Sequence, residues 1–194
     1  LWTFKIQNRK TEYKATFPLK LSIVIPAYNE ENRIKNTLLT VVDYVQHNKI
    51  NAEILVVSDG SKDGTDETIK SFGERHPLVQ LITYEKNQGK GYAVKLGIMQ
   101  SKGEYILFAD ADNSTPIEEY SNLLEAMEKQ NAAIAIGSRY IRGSKVKIKQ
   151  PFYRRFIGRA GNLLIRWFLI DGIKDTQCGF KLFKHRAAKE IFSL

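Results

Sequence analysis

Residues 21–30 read Leu21-Ser-Ile-Val-Ile25 followed by Pro26-Ala-Tyr-Asn-Glu30. A short β-branched run without polar alternation fits a strand buried on both faces, as in a parallel sheet, and Pro26 is expected to end it. Four more such runs follow, at Glu53–Val57, Val79–Tyr84, Glu104–Ala109 and Ala132–Ile136. Between them Ile34, Leu38, Val42 and Val45 share one helical face, as do Ile117, Tyr120, Leu124 and Met127. Strand and helix alternate at βαβ spacing. The expected fold is therefore α/β, a mostly parallel central sheet wound from βαβ units with helices on both faces.

The remaining composition is that of an ordinary globular domain. The chain has 194 residues, 43% hydrophobic and 26% charged, which excludes a disordered tail or a collagen-like repeat. One cysteine, Cys178, excludes an internal disulfide and reads as a small packed residue. No run approaches the roughly 20 apolar residues of a spanning helix. Residues 1–20 are polar and basic and read as a lead-in or juxtamembrane segment, with the folded domain expected over 21–194. The chain starts at Leu1 and stops inside an apparent helix, Arg186–Leu194, so a longer protein truncated at its C-terminus is expected, with flanking membrane segments outside this stretch.

In such sheets ligands bind beyond the carboxyl ends of the strands. Polar or glycine-rich groups follow all five runs: Pro26-Ala-Tyr-Asn-Glu30, Ser58-Asp-Gly-Ser61, Asn87-Gln-Gly-Lys-Gly91, Asp110-Ala-Asp112 and Gly137-Ser-Arg139. Each alone is compatible with a turn. Asp110 and Asp112 sit at alternate positions and suit Mg²⁺ or Mn²⁺, although two turn or capping aspartates would look the same. Asn87–Gly91 opens a helix, where backbone N–H groups and Lys90 would attract phosphate, unless it is an ordinary turn. Asp59 has the chemistry to accept from a nucleobase N–H and Tyr28 to stack on the base; a loop cap and a half-buried aromatic are the alternatives. Taken together, the set describes a metal-dependent nucleoside diphosphate site.

That ordered series of motifs resembles family 2 glycosyltransferases of the glycosyltransferase A fold, over about Leu21 to Leu194. The stretch Asp175-Thr-Gln-Cys-Gly-Phe-Lys181 is similar to the dolichyl-phosphate glucosyltransferase branch rather than the dolichyl-phosphate mannosyltransferase branch. The resemblance implies that Pro26, Ala27, Tyr28, Glu30 and Asp59 hold the nucleoside of UDP-glucose, with Lys90 near the base or diphosphate. It implies Asp110 near ribose and metal, Asp112 on the metal, and Arg139 with Arg154 or Arg155 on the acceptor phosphate. Asp112, Arg139, Asp175 and Lys181 make up the implied catalytic set. Many relatives have Asp-Asp-Gly-Ser where this chain has Ser58-Asp59-Gly60-Ser61, so Ser58 brings no charge.

The charge distribution points to the same acceptor. The net charge is +9, yet residues 1–140 hold 17 Lys+Arg and 18 Asp+Glu, whereas residues 141–194 hold 13 and 3. On a helix of about 100° per residue, Arg155, Arg159 and Arg166 fall within about 40° of one another, opposite Phe156, Leu163, Leu164, Trp167 and Phe168. This pattern fits an interfacial helix on an anionic membrane surface, or a core helix with a charged outer face. No motif for nucleic acid accompanies the charge. A polyprenyl phosphate is already ionised near neutral pH, its second pKa being about 6, so it needs arginines for placement rather than a base. The expected reaction is direct displacement with inversion at the cytoplasmic face of a membrane: the plasma membrane in a prokaryote, the endoplasmic reticulum in a eukaryote. A saccharide-hydroxyl acceptor with Asp175 as base, GDP-mannose as donor, and a non-enzymatic nucleotide-sugar or lipid-binding module are the alternatives. The sequence carries no signal for oligomeric state.

Overall fold

The computed structural model describes residues 2–4, 17–137 and 178–193. Its elements in chain order are β1 (Trp2–Phe4), β2 (Leu19–Ala27), α1 (Glu31–His47), β3 (Ala52–Asp59), α2 (Thr65–Arg75), β4 (Val79–Tyr84), α3 (Lys90–Gln100), β5 (Gly103–Ala109), α4 (Glu119–Lys129), β6 (Ile134–Ile136), β7 (Phe180–Lys184) and α5 (His185–Phe192). The strands form one sheet in the order β1-β6-β7-β5-β2-β3-β4. β2 pairs in parallel with β3 and β5, and β3 with β4. β7 runs antiparallel between β5 and β6, and β1 antiparallel to β6. Five strands thus share one direction, so the sheet is mostly parallel, with the reversal confined to one half.

Burial explains why the inner strands read as continuous apolar runs. Leu21, Ile23 and Ile25 pack toward α1, α2 and α4, through Ile34, Leu38, Ile69, Phe72, Leu123 and Met127. Val24, Val57, Ile106 and Phe108 pack toward α3 and α5, through Ala93, Ile98 and Ala188. Helices therefore cover both faces, as expected. α3 approaches the sheet closely at Gly97, which has no side chain: a Cβ there would overlap Val24. α1 stops where Asn48 Nδ2 donates to Tyr44 O at 2.8 Å and Lys49 takes a left-handed φ of 52°.

Three details differ from the sequence reading. Pro26 does not end its strand; β2 continues through it to Ala27. Pro26 lies beyond the last residue of β2 paired with β5, so its missing N–H breaks no rung on that side. Within the expected lead-in, Trp2–Phe4 joins the sheet edge and β2 starts at Leu19. Phe180–Lys184, of which only Phe180 and Lys181 stand in the motif quoted above, is an inner strand. Among the described residues no helix is long and apolar enough to cross a membrane.

Candidate active site

The parallel strands β2, β3, β4 and β5 all end on one rim, and their following loops are tied to one another. Asn29 takes φ 52°, which asparagine tolerates, and its side chain accepts from Lys62 N at 2.9 Å. Asn29 N donates to Ser61 Oγ at 3.1 Å, and Ser58 Oγ bonds Ser61 Oγ at 2.9 Å. Glu30 N donates to Thr65 Oγ1 at 2.8 Å. Asp63 accepts from Thr65 and from Glu31 N; burial alone would raise its carboxyl, but these bonds hold it below the ordinary value. Buried Ser58 therefore braces the Tyr28–Asn29 turn. It leaves Asp59 as the acid of its motif.

Asp59 is 3% exposed and is the hub of the next loop. Its Oδ1 accepts from Tyr84 Oη at 2.9 Å, Gln88 N at 2.7 Å and Gly89 N at 3.2 Å, and its Oδ2 from Asn87 Nδ2 at 3.1 Å. The Gln88 and Gly89 amides, expected to attract phosphate, are thus already engaged by a carboxylate. An anion ahead of a helix start satisfies the same donors that a phosphate would. Gly60, with φ 64°, packs so closely that a Cβ would meet Asn87 N at 2.6 Å. Burial, with the bond to Asp59 next, pushes the Tyr84 phenol well above the ordinary tyrosine value.

Anchored in this way, the loop starts α3 at Lys90, whose Nζ lies 2.5 Å from Asp110 Oδ1 and 5.4 Å from the centre of the Phe108 ring. Asp110 follows β5; its N–H donates to Gly179 O at 3.1 Å, and a Cβ on Gly179 would fall on its carboxylate. Thr37 of α1 donates to Ala111 O at 2.6 Å, fixing the backbone between the two aspartates. Asp112 is exposed and uses Oδ1 to accept from Ser114 N at 3.0 Å.

Asp59 at the end of β3, Lys90 at the start of α3, and Asp110 and Asp112 after β5 therefore lie on one rim. Tyr28 beside them is 46% exposed, open to a stacking partner. Pro26 and Ala27 are buried at the end of β2. Glu30 is differently placed in chemical terms: Arg33 holds both its oxygens, at 2.8 and 3.0 Å. Lys181 lies in β7 opposite Phe108, two residues from Gly179. Arg139, Arg154, Arg155 and Asp175, with the arginine stripe at 155, 159 and 166, lie outside the described residues. Three residues of the site were not singled out from sequence: Tyr84, Thr37 and Gly179. Thr37 carries a usable signal, being a polar residue beside Ile34 and Leu38 on a buried stripe.

The model of the Glycosyl transferase family 2 family matches residues 22–192. Dolichyl-phosphate beta-glucosyltransferase ALG5C of Trichomonas vaginalis is 40% identical over 88% of this chain and 53% of its own length. ALG5D of the same organism is 34% identical over 97% of this chain and 61% of its own length. The human dolichyl-phosphate beta-glucosyltransferase is 38% identical over 90% and 57%. The chain thus spans between half and two thirds of these curated relatives. In fold it is similar to the mannosyltransferase PcManGT from Pyrobaculum calidifontis, solved with GDP-Man and Mn²⁺ (TM-score 0.59, 19% identity, 92% of this chain and 50% of that one). It is similar also to glucosyl-3-phosphoglycerate synthase from Mycobacterium tuberculosis, solved with Mn²⁺, UDP-glucose and phosphoglyceric acid (TM-score 0.61, 16% identity, 87% and 57%).

Proposed function

The chain belongs to glycosyl transferase family 2, and on that premise we propose that it carries the catalytic site of an inverting, metal-dependent enzyme that moves glucose from UDP-glucose to a dolichyl-type polyprenyl phosphate. The observation that carries this reading is the rim itself. A base-binding acid at Asp59, an ammonium at Lys90 and two carboxylates at Asp110 and Asp112 stand at consecutive strand ends. Relatives named as dolichyl-phosphate beta-glucosyltransferases support glucose and dolichyl phosphate as the substrate pair.

Asp110 and Asp112 fit Mg²⁺ or Mn²⁺, since two hard oxygen donors suffice when phosphate oxygens and water complete the shell. Among the described residues no larger His, Cys, Asp or Glu cluster competes for such an ion. When bound, the cation supplies neutralisation of the charge that builds on departing UDP. The chain's own residues do the rest. Tyr28 and the remaining capacity of Asp59 Oδ2 receive the uracil, and Lys90 faces the diphosphate. Arg139 with Arg154 or Arg155 grips the acceptor phosphate, whose ionised oxygen attacks the anomeric carbon from the face opposite UDP. No general base is needed for that nucleophile. The enzyme works at the cytoplasmic face of a membrane, where the basic last quarter of the chain meets anionic lipid.

The test is kinetics with UDP-glucose and varied dolichyl phosphate, alongside UDP calorimetry. Arg139→Ala and Arg154→Ala should each lower acceptor efficiency about 10- to 150-fold, the worth of one charge-assisted bond, without changing UDP affinity. Unchanged acceptor kinetics in both would move the reading to a saccharide acceptor with Asp175 as base. Tighter GDP than UDP binding would reverse the donor, and full-rate transfer in chelator would remove the metal.

A further inference from the structure

We propose that Lys90 is a built-in counterion for Asp110, occupying the place of the divalent cation until a nucleotide diphosphate draws the ammonium away. This inference rests on the metal reading above. Lys90 Nζ sits 2.5 Å from Asp110 Oδ1, closer than an ordinary N–H···O contact, and the carboxylate lies against the Cα of Gly179. Its cradle is therefore closed on one side by backbone and on the other by the ammonium. A divalent ion bonded to that carboxylate and an ammonium on the same oxygen would repel at contact range. One must leave.

The arrangement makes the lysine the one to move. Its side chain is 58% exposed, against 29% for Asp110, and among the described residues its ammonium is paired only with that carboxylate and the Phe108 ring. An exposed pair of this kind is weak and easily exchanged. The backbone that carries Lys90 is by contrast pinned, because Asp59 holds the two preceding amides. Only the flexible stem of the lysine has to swing to reach a phosphate. Diphosphate binding would then release Asp110 for the cation, and by linkage the cation would favour the nucleotide-ready position of Lys90.

The prediction has an unusual sign. Lys90→Met should bind Mn²⁺ alone more tightly, by about two- to fivefold, the range that an exposed ion pair can supply. The same variant should bind UDP with Mn²⁺ more weakly, by about tenfold or more. Mn²⁺ electron paramagnetic resonance, with and without UDP at fixed ionic strength, reads both. Lys86→Met, which removes a nearby exposed charge, is the control and should leave Mn²⁺ binding unchanged. Unchanged or weaker Mn²⁺ binding by Lys90→Met overturns the proposal, as does equal tightening in the Lys86 control, which would reduce the effect to net charge. No Mn²⁺ binding by the wild-type chain, with UDP or without, overturns the metal reading on which the proposal stands.

Discussion

Gly179 is a glycine for a reason that lies 69 positions away in the chain. Any Cβ there would occupy the space of the Asp110 carboxylate. Asp110 has a short side chain with two torsions, so it would swing aside rather than force the strands apart. Gly179→Ala should accordingly change stability by less than about 1 kcal/mol while weakening UDP·Mn²⁺ binding by about tenfold, since a charge-assisted contact is worth roughly 1.5–3 kcal/mol. Thermal melting and calorimetry on the same samples check this. Wild-type nucleotide affinity in the variant would mean that the placement of Asp110 has no bearing on the donor. Thr37 shows the same logic from the other side: one buried hydroxyl on α1 fixes the carbonyl between Asp110 and Asp112.

At the scale of elements, α3 is held at both ends by charges that match its dipole. Asp59 lies ahead of its start, and Lys189 of α5 reaches its end. Lys189 Nζ donates to Ile98 O at 2.8 Å, Met99 O at 2.7 Å and Ser101 O at 2.9 Å, carbonyls at and just past the last turn, of which Ile98 O also accepts from Ser101 N at 3.2 Å. Burial lowers the Lys189 pKa, with buried Glu53 pulling it back. Part of the gain from the bonds is therefore offset by desolvation. Lys189→Met should lower stability by about 1 kcal/mol, because part-buried carbonyls lose a charged donor. Urea unfolding should show the loss, with UDP affinity changing less than about twofold, because the Lys90 end remains anchored by Asp59. No loss of stability would mean that water replaces the ammonium freely and that α5 does not clamp α3.

At the scale of the whole molecule, the sheet carries phenols that titrate late. Burial raises Tyr84 of β4, Tyr105 of β5 and Tyr120 of α4, which packs on that sheet, above the ordinary value, with Asp59 adding to the first and Glu104 and Glu128 to the second. The unfolded chain releases these protons near pH 10, the folded chain only later. Stability from this source is complete below pH about 10 and falls as pH rises further, since the unfolded state then binds fewer protons. Lys189 acts in the opposite sense, its lowered pKa making stability rise toward the ordinary lysine value. Tyrosinate absorbance should therefore rise in two waves, the later one coinciding with unfolding, and Tyr84→Phe should remove one phenol from the later wave. A single wave near pH 10 in folded protein would contradict the burial of these groups. Much of this architecture was legible along the chain. β2, β3 and β5 announce themselves because burial on both faces leaves no polar alternation, the edge strand β4 shows as a short β-branched run despite its exposed Gln80 and Thr83, and the rim residues follow because strand ends are where such sheets turn polar. Helix α2 and strand β7 were not legible as elements: the first is short and mostly polar, and the second is a five-residue run with two lysines. Strand composition and the inventory of Asp59, Lys90, Asp110 and Asp112 were thus determined by the sequence alone, since burial and spacing are local properties. Tertiary structure alone decided that Asp59 takes the Gln88 and Gly89 amides, that Lys90 meets Asp110 and that Gly179 makes room for it. Those contacts join residues 20 to 69 positions apart, and the order of strands in the sheet together with the packing of α3 on it, not any local pattern, brings them together.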